Sequence, residues 1–342
     1  HQHLVAEMEW DNAQEHCHVG HEMLAGFQPL AELAPIILYH HTKWEELSSL
    51  PVDEEDALFA NLIFLVDRVD ALTASHYGKD LLTAREGVCE HIASLSGSLF
   101  APQLVELFMQ VSQSEAFWLS LEPPHLERFL FHMEREHQPV FVGMDELKSL
   151  ARLFGQVVDA KSRFTLEHSE GVAALARFLA ERMGLPAEQC EKIEVAGLLH
   201  DLGKLKIPDE VLEKPAPLDG DERAVMHRHS FESYQILRRI DGLEDVARWA
   251  SYHHEVPNGS GYPFHVGAAE LGLEARIIAV ADVFQALAQE RPYRGPLPPE
   301  QIVAIIQEMA EHDRLDRAVV EQVALEPQLC WRKAIMQGGT GE

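Results

Sequence analysis

No stretch of the 342 residues approaches the ~20 uninterrupted apolar residues that a membrane helix needs, so no transmembrane segment is expected. Paired cysteines are missing too. Cys17, Cys89, Cys190 and Cys330 are scattered without CxxC spacing, which argues against a disulfide framework and fits a reduced, cytoplasmic setting. Positive charge is scarce: 28 Lys and Arg face 56 Asp and Glu, a formal net charge of −28. A polyanion would be repelled over most of such a surface, which argues against polymeric nucleic acid as a partner. A small phosphate ligand stays open, because bound cations and a few arginines can invert the local sign. Alternating apolar–polar runs are also scarce, so an all-α protein is expected. Neither an initiator Met nor a signal-peptide pattern stands at His1, and the chain is expected to begin partway into a longer protein.

What is present is ordinary in bulk and unusual in one residue. Hydrophobic residues make up 46% and charged residues 25%, as in soluble globular proteins, and the length suits two domains. Histidine is abundant at 20. Two segments align without gaps. His16-Cys17-His18 leads to Tyr39-His40-His41, and His229-Ser230-Phe231 leads to Tyr252-His253-His254, with 24 residues from the single histidine to the pair in both. Further on, the run ending Val66-Asp67 parallels the run ending Ala281-Asp282. Such self-similarity predicts a duplicated unit. We expect a first copy over 1–121, a linker over 122–144 where Pro123-Pro124 would break a helix, and a second copy over 145–336 with Asp145 as its N-cap. Asp219-Gly220-Asp221-Glu222 reads as a capping box.

The chemistry concentrates in the second copy. Leu198-Leu199-His200-Asp201-Leu202-Gly203-Lys204 puts an imidazole and a carboxylate at one helix end, with Gly203 expected to turn the chain and Lys204 to point a cation back. An Asp can bridge two cations with its two oxygens. His168 lies on the preceding helix, His229 and His253-His254 follow, and Asp282 sits within an apolar helix where it is costly unless paired or metal-bound. Any one of these could be a hydrogen-bonded core residue. Together they predict a mixed nitrogen–oxygen metal site open to Fe, Mn, Zn or Ni.

These positions, with Asn258-Gly259-Ser260-Gly261-Tyr262-Pro263 and Arg291-Pro292-Tyr293-Arg294, resemble the HD-GYP family of the HD superfamily, bacterial phosphodiesterases of cyclic di-GMP. The resemblance covers about 145–296, with 1–121 as a partial copy. It implies two tandem helical HD-type domains, the first incomplete or degenerate. It also implies two divalent metals, iron or manganese first and zinc or nickel as alternatives. His168, His200 and Asp282 would hold one, His229, His253 and His254 the other, and Asp201 would bridge them. A hydroxide between the metals would attack phosphorus in line, giving linear pGpG or GMP. Lys204 would steady the phosphate, Arg291 and Arg294 would bind it, and Tyr262 would shape the pocket wall. The implied partners are cyclic di-GMP or a related cyclic dinucleotide, and a second copy of the chain in a homodimer.

The sequence also departs from the family. Asn258 and Gln285 stand where Asp is usual, and Ala288-Gln289 where Thr-Ser is usual. These departures motivate two alternatives: a weakly catalytic binding effector, or a phosphohydrolase of another cyclic nucleotide. Phe164 stands where some members carry a Glu that holds a third metal, which predicts a binuclear site. In the first copy His16, His40, His41 and Asp67 persist without a preceding His-Asp pair, and 42–57 has no glycine for a Gly-Tyr-Pro loop. A regulatory or packing role follows, with its histidines read as relics kept in a core and the binding of one metal as the alternative.

Overall fold

Helices form the regular structure of the computed structural model, which describes residues 16–136, 141–161, 168–290 and 295–336. Among the described residues there is no strand, only an isolated bridge between Ser96 and Phe100. No helix among them is long and apolar enough to cross a membrane. The chain divides into two compact units, His1–Phe141 and Val142–Glu342.

The first unit comprises α1 (16–25), α2 (Ala34–Tyr39), α3 (Trp44–Leu47), α4 (Glu54–Thr73), α5 (Leu81–Ser94), α6 (Pro102–Val111), α7 (Glu115–Ser120) and α8 (Pro123–Glu136). Asp53 caps α4 by accepting from the Glu55 amide, and three acidic residues follow in the first turn, where the helix dipole favours them. The core gathers Phe64, Ile92, Phe100 and Trp118, all fully buried. Burying each large apolar side chain contributes about 1.5–3 kcal/mol. The Trp118 indole N–H is satisfied by the Ser112 carbonyl at 2.8 Å. The expected linker is not structureless. Pro123 and Pro124 stand at a break, as expected, between α7 and α8, and they also open α8, because the first helical positions have no intrahelical partner for the missing N–H.

The second unit comprises α9 (Met144–Lys161), α10 (His168–Arg182), α11 (Ala187–Leu199), α12 (Asp209–Leu212), α13 (Gly220–Leu237), α14 (Glu244–Ser251), α15 (Leu273–Ala288), α16 (Pro299–Glu311), α17 (Arg317–Leu325) and α18 (Pro327–Ala334). Asp145 lies in the first turn of α9, one residue past the start, so it complements the dipole rather than capping. The Asp219–Glu222 capping box on α13 is formed as the sequence predicts. Helices α11 and α15 run through the core, burying Ile193, Val195, Leu198, Ile277, Ile278 and Phe284. Glu194 on α11 is buried yet met by Arg177 at 2.6 Å and Arg152 at 3.0 Å, so its charge is compensated. These two helices carry His200 and Asp282 to one place.

Candidate metal centre

Helix α11 ends at His200, and a 3-10 turn over Leu202–Lys206 follows directly. His200 and Asp201 are thus fixed at a rigid junction, 0% and 3% exposed. The turn packs tightly on α13. A Cβ on Gly203 would lie 1.9 Å from the His229 carbonyl oxygen, and its φ is not positive. Gly203 is therefore required by close approach, and the turn expected from sequence is not the reason. The Gly203 amide donates to Ser233 Oγ at 2.8 Å, and Ser233 Oγ–H donates to the His200 carbonyl at 2.9 Å.

Around this junction the sequence-predicted residues converge. Asp201 Oδ2 stands 3.3 Å from His200 Nε2 and 3.6 Å from His168 Nε2, while Oδ1 stands 3.3 Å from His229 Nε2 and 3.9 Å from His253 Nε2. The carboxylate divides between two histidine sets. Asp282 Oδ1 joins the first set, 3.4 Å from His168 and 3.9 Å from His200. His229, His253 and His254 form the second, with 3.3 Å between the Nε2 atoms of His229 and His253. Lys204 Nζ contacts Asp201 Oδ2. Arg291, Arg294 and Phe164 lie outside the described residues.

The protonation pattern suits cation binding. A carbonyl oxygen only accepts, so Nδ1–H of His200, His229 and His253 must donate to the carbonyls of Gly197, Met226 and Ala250 at 2.8, 2.6 and 2.6 Å. His168 Nδ1–H likewise donates to Gln285 Oε1 at 2.6 Å. Each such bond leaves Nε2 facing the cluster. Burial, reinforced by neighbouring imidazoles, pushes His168 and His253 down to about 3, and burial lowers His229 to about 4. For His200 burial is overcome by Asp201, which lifts its pKa to about 9. For Asp201 burial is more than offset by Lys204 and His200, which hold the carboxyl well below its ordinary value. The set fits divalent cations: neutral imidazoles, two carboxylates and one proton on His200 for a cation to displace.

The Gly-Tyr-Pro loop forms one wall. Tyr262 stacks on His227 at 3.7 Å between centroids and lies 4.7 Å from the His254 ring. Glu255, 1% exposed, holds the loop by accepting from the amides of Phe264, His265 and Val266 at 2.6, 3.2 and 3.1 Å. Asn258 accepts from the Ser260 amide and donates through Nδ2 to the His312 carbonyl at 3.1 Å, a bond an aspartate could not make. Sequence reasoning missed Ser233 and His227, and left Glu255, noted beside His253-His254, and Gln285 without a role. Only the Glu beside the histidine pair gave any signal.

Residues 152–319 match the HD domain family. The whole chain is similar to the 3′3′-cGAMP-specific phosphodiesterase 1 of Vibrio cholerae, 40% identical over 98% of this chain and 79% of that one. The chain belongs to the HD-GYP family of cyclic-dinucleotide phosphodiesterases. Among other HD-GYP relatives, the V. cholerae 3′3′-cGAMP-specific phosphodiesterase 3 is 32% identical over 73% of this chain and 53% of its own. The cyclic di-GMP phosphodiesterase response regulator RpfG of Xanthomonas campestris is 41% identical over 44% of this chain and 40% of its own. The solved cyclic GMP-AMP specific phosphodiesterase V-cGAP3 of V. cholerae superposes with a TM-score of 0.58 at 27% identity, covering 92% of this chain and 71% of that one.

Proposed function

We propose that this HD-GYP chain hydrolyses a cyclic dinucleotide, 3′3′-cGAMP foremost, at a binuclear centre in its second unit. The division of the Asp201 oxygens between two histidine sets carries this reading. His168, His200 and Asp282 would hold one divalent cation and His229, His253 and His254 the other, with Asp201 shared. Two such cations, when bound, lower the pKa of water and neutralise charge on the phosphoryl oxygens. The chain's own residues do the rest. Gln285 and the three backbone carbonyls orient the imidazoles through Nδ1. Lys204, now on Asp201, is in reach of the same space and can hold a phosphate oxygen through its ammonium. Tyr262 offers an aromatic wall, kept in place by Glu255 and the stack on His227. Arg291 and Arg294 are assigned to the ligand's phosphates from sequence alone.

The preference for 3′3′-cGAMP over the cyclic di-GMP expected from sequence is supported by the relative that matches 98% of the chain. The 41% identity to RpfG over 151 residues favours cyclic di-GMP as the second reading. The effector alternative loses part of its motive, since Asn258 and Gln285 both make structural hydrogen bonds here.

The test is to load the protein with Mn or Fe, measure bound metal, and follow 3′3′-cGAMP and cyclic di-GMP by chromatography beside Asp201→Ala. Turnover of 3′3′-cGAMP should exceed that of cyclic di-GMP and fall on the order of 10³-fold or more in the variant. Faster cyclic di-GMP cleavage would establish the second reading. Tight binding without turnover would establish an effector, and absence of bound metal would overturn the binuclear centre.

A further inference from the structure

The first unit holds a group of imidazoles that the proposed reaction does not use. His16 on α1 and His40-His41 just past α2 offer ligand nitrogens that all lie within 4.8 Å of one another. His16 Nε2 and His40 Nε2 are 3.1 Å apart, close to the 3.3 Å of the two histidine pairs at the catalytic centre. Two nitrogens bonded to one cation at about 2.0–2.1 Å, with bond angles between octahedral and tetrahedral, stand about 2.9–3.4 Å apart.

A second observation concerns the far side of the ring. His40 Nδ1–H donates to the Ile37 carbonyl at 2.5 Å, three residues back, as His253 does to Ala250 and His229 to Met226. That bond leaves the lone pair on Nε2, toward the group. His16 is exposed and the other two are half-buried, with the His41 ring set edge-on against Phe64 of the core at 5.4 Å between centroids.

We propose that His16, His40 and His41 bind one zinc-class divalent cation, separate from the catalytic centre, that ties α1 to the end of α2. An all-imidazole set selects zinc-class ions over magnesium or calcium. The site is mononuclear because no carboxylate joins the group among the described residues. Asp67, matched in sequence to Asp282, is paired with Arg68 at 2.9 Å instead. Cys17 Sγ lies 3.5 Å from His40 Nδ1, on the wrong side of that ring to share the ion.

The test uses the full chain with both halves of the catalytic centre disabled by Asp201→Ala, His200→Ala and His253→Ala, and cobalt(II) as the probe. This background should retain about one Co²⁺ per chain, with the intense visible absorption of a tetrahedral nitrogen site. Adding either His16→Asn or His41→Asn should abolish that absorption and the stoichiometric ion. Circular dichroism checks that each variant folds, and exposed His16 is the safer replacement should His41→Asn fail to fold. A background that holds no stoichiometric Co²⁺, or one whose ion survives both replacements, overturns the proposal. Equal binding by wild type and background would instead count against the catalytic centre, so the two failures are distinguishable.

Discussion

Two histidine groups share one spacing and one Nδ1–H bond to a carbonyl three residues back, yet differ in everything around them. His229 and His253 are 1% and 3% exposed and face a bridging aspartate, a lysine and an aromatic loop. His16 is exposed and His40 and His41 are half-buried, and among the described residues no carboxylate joins them in the group as Asp201 and Asp282 do in the second unit. The contrast separates two properties that a motif search merges. Imidazoles at a 24-residue spacing make a place for a cation. A shared carboxylate, burial and a wall for a base make that place an enzyme.

The comparison can be broken most severely at Gly203. Gly203→Ala places a methyl 1.9 Å from the His229 carbonyl oxygen, so the turn or α13 must move. A loss of about 3 kcal/mol in denaturant unfolding is expected, together with loss of stoichiometric metal in the second unit. An unchanged midpoint would show that the turn has slack.

Next comes pH. A ligating imidazole must be neutral, and without a cation His200 holds its proton up to about 9. Affinity for a divalent cation, read by competition with a chromogenic chelator, should therefore rise about tenfold per pH unit from 7 toward 9 and flatten above. The sign for the metal-free fold is opposite. With its folded pKa raised, His200 contributes stability below about 6.5 that is lost as pH passes 9. A flat chelator profile would remove His200 from the ligand set.

Glu255→Gln is a milder probe. It turns a charged acceptor of three amides into a neutral one, which should cost about 1–1.5 kcal/mol and raise KM more than it lowers kcat, with metal content intact. A fall in metal content would mean that the loop supports the ligands as well as the pocket. The smallest effect is a control in the other unit. Gly87, within α5, has nothing within 4 Å of a built Cβ, so Gly87→Ala should stabilise by about 0.5–1 kcal/mol without touching turnover.

The all-α class and the convergence of His168, His200, Asp201, His229, His253, His254 and Asp282 were legible because periodicity and residue type carry them. What was not legible depends on partners far apart in sequence or on backbone proximity. His168 and Gln285 are 117 residues apart, and Gln285 reads as a departure until its oxygen is seen on the ring. Gly203 reads as a turn glycine, and only the packing of α13 shows the collision it avoids. Pro123-Pro124 does mark the break between α7 and α8, but a proline pair gives no hint that a further helix starts on it.

Ser233 has a consequence for mechanical tolerance. Its single oxygen receives the Gly203 amide and gives its proton to the His200 carbonyl, while the same helix carries His229 one turn earlier. Through that one oxygen, α13 and the α11 junction are tied to a common frame, with His229 on one side of the tie and His200 on the other. The hydroxyl acts as a spacer gauge: a substitution such as Ser233→Ala removes the strut that sets how far one histidine set stands from the other.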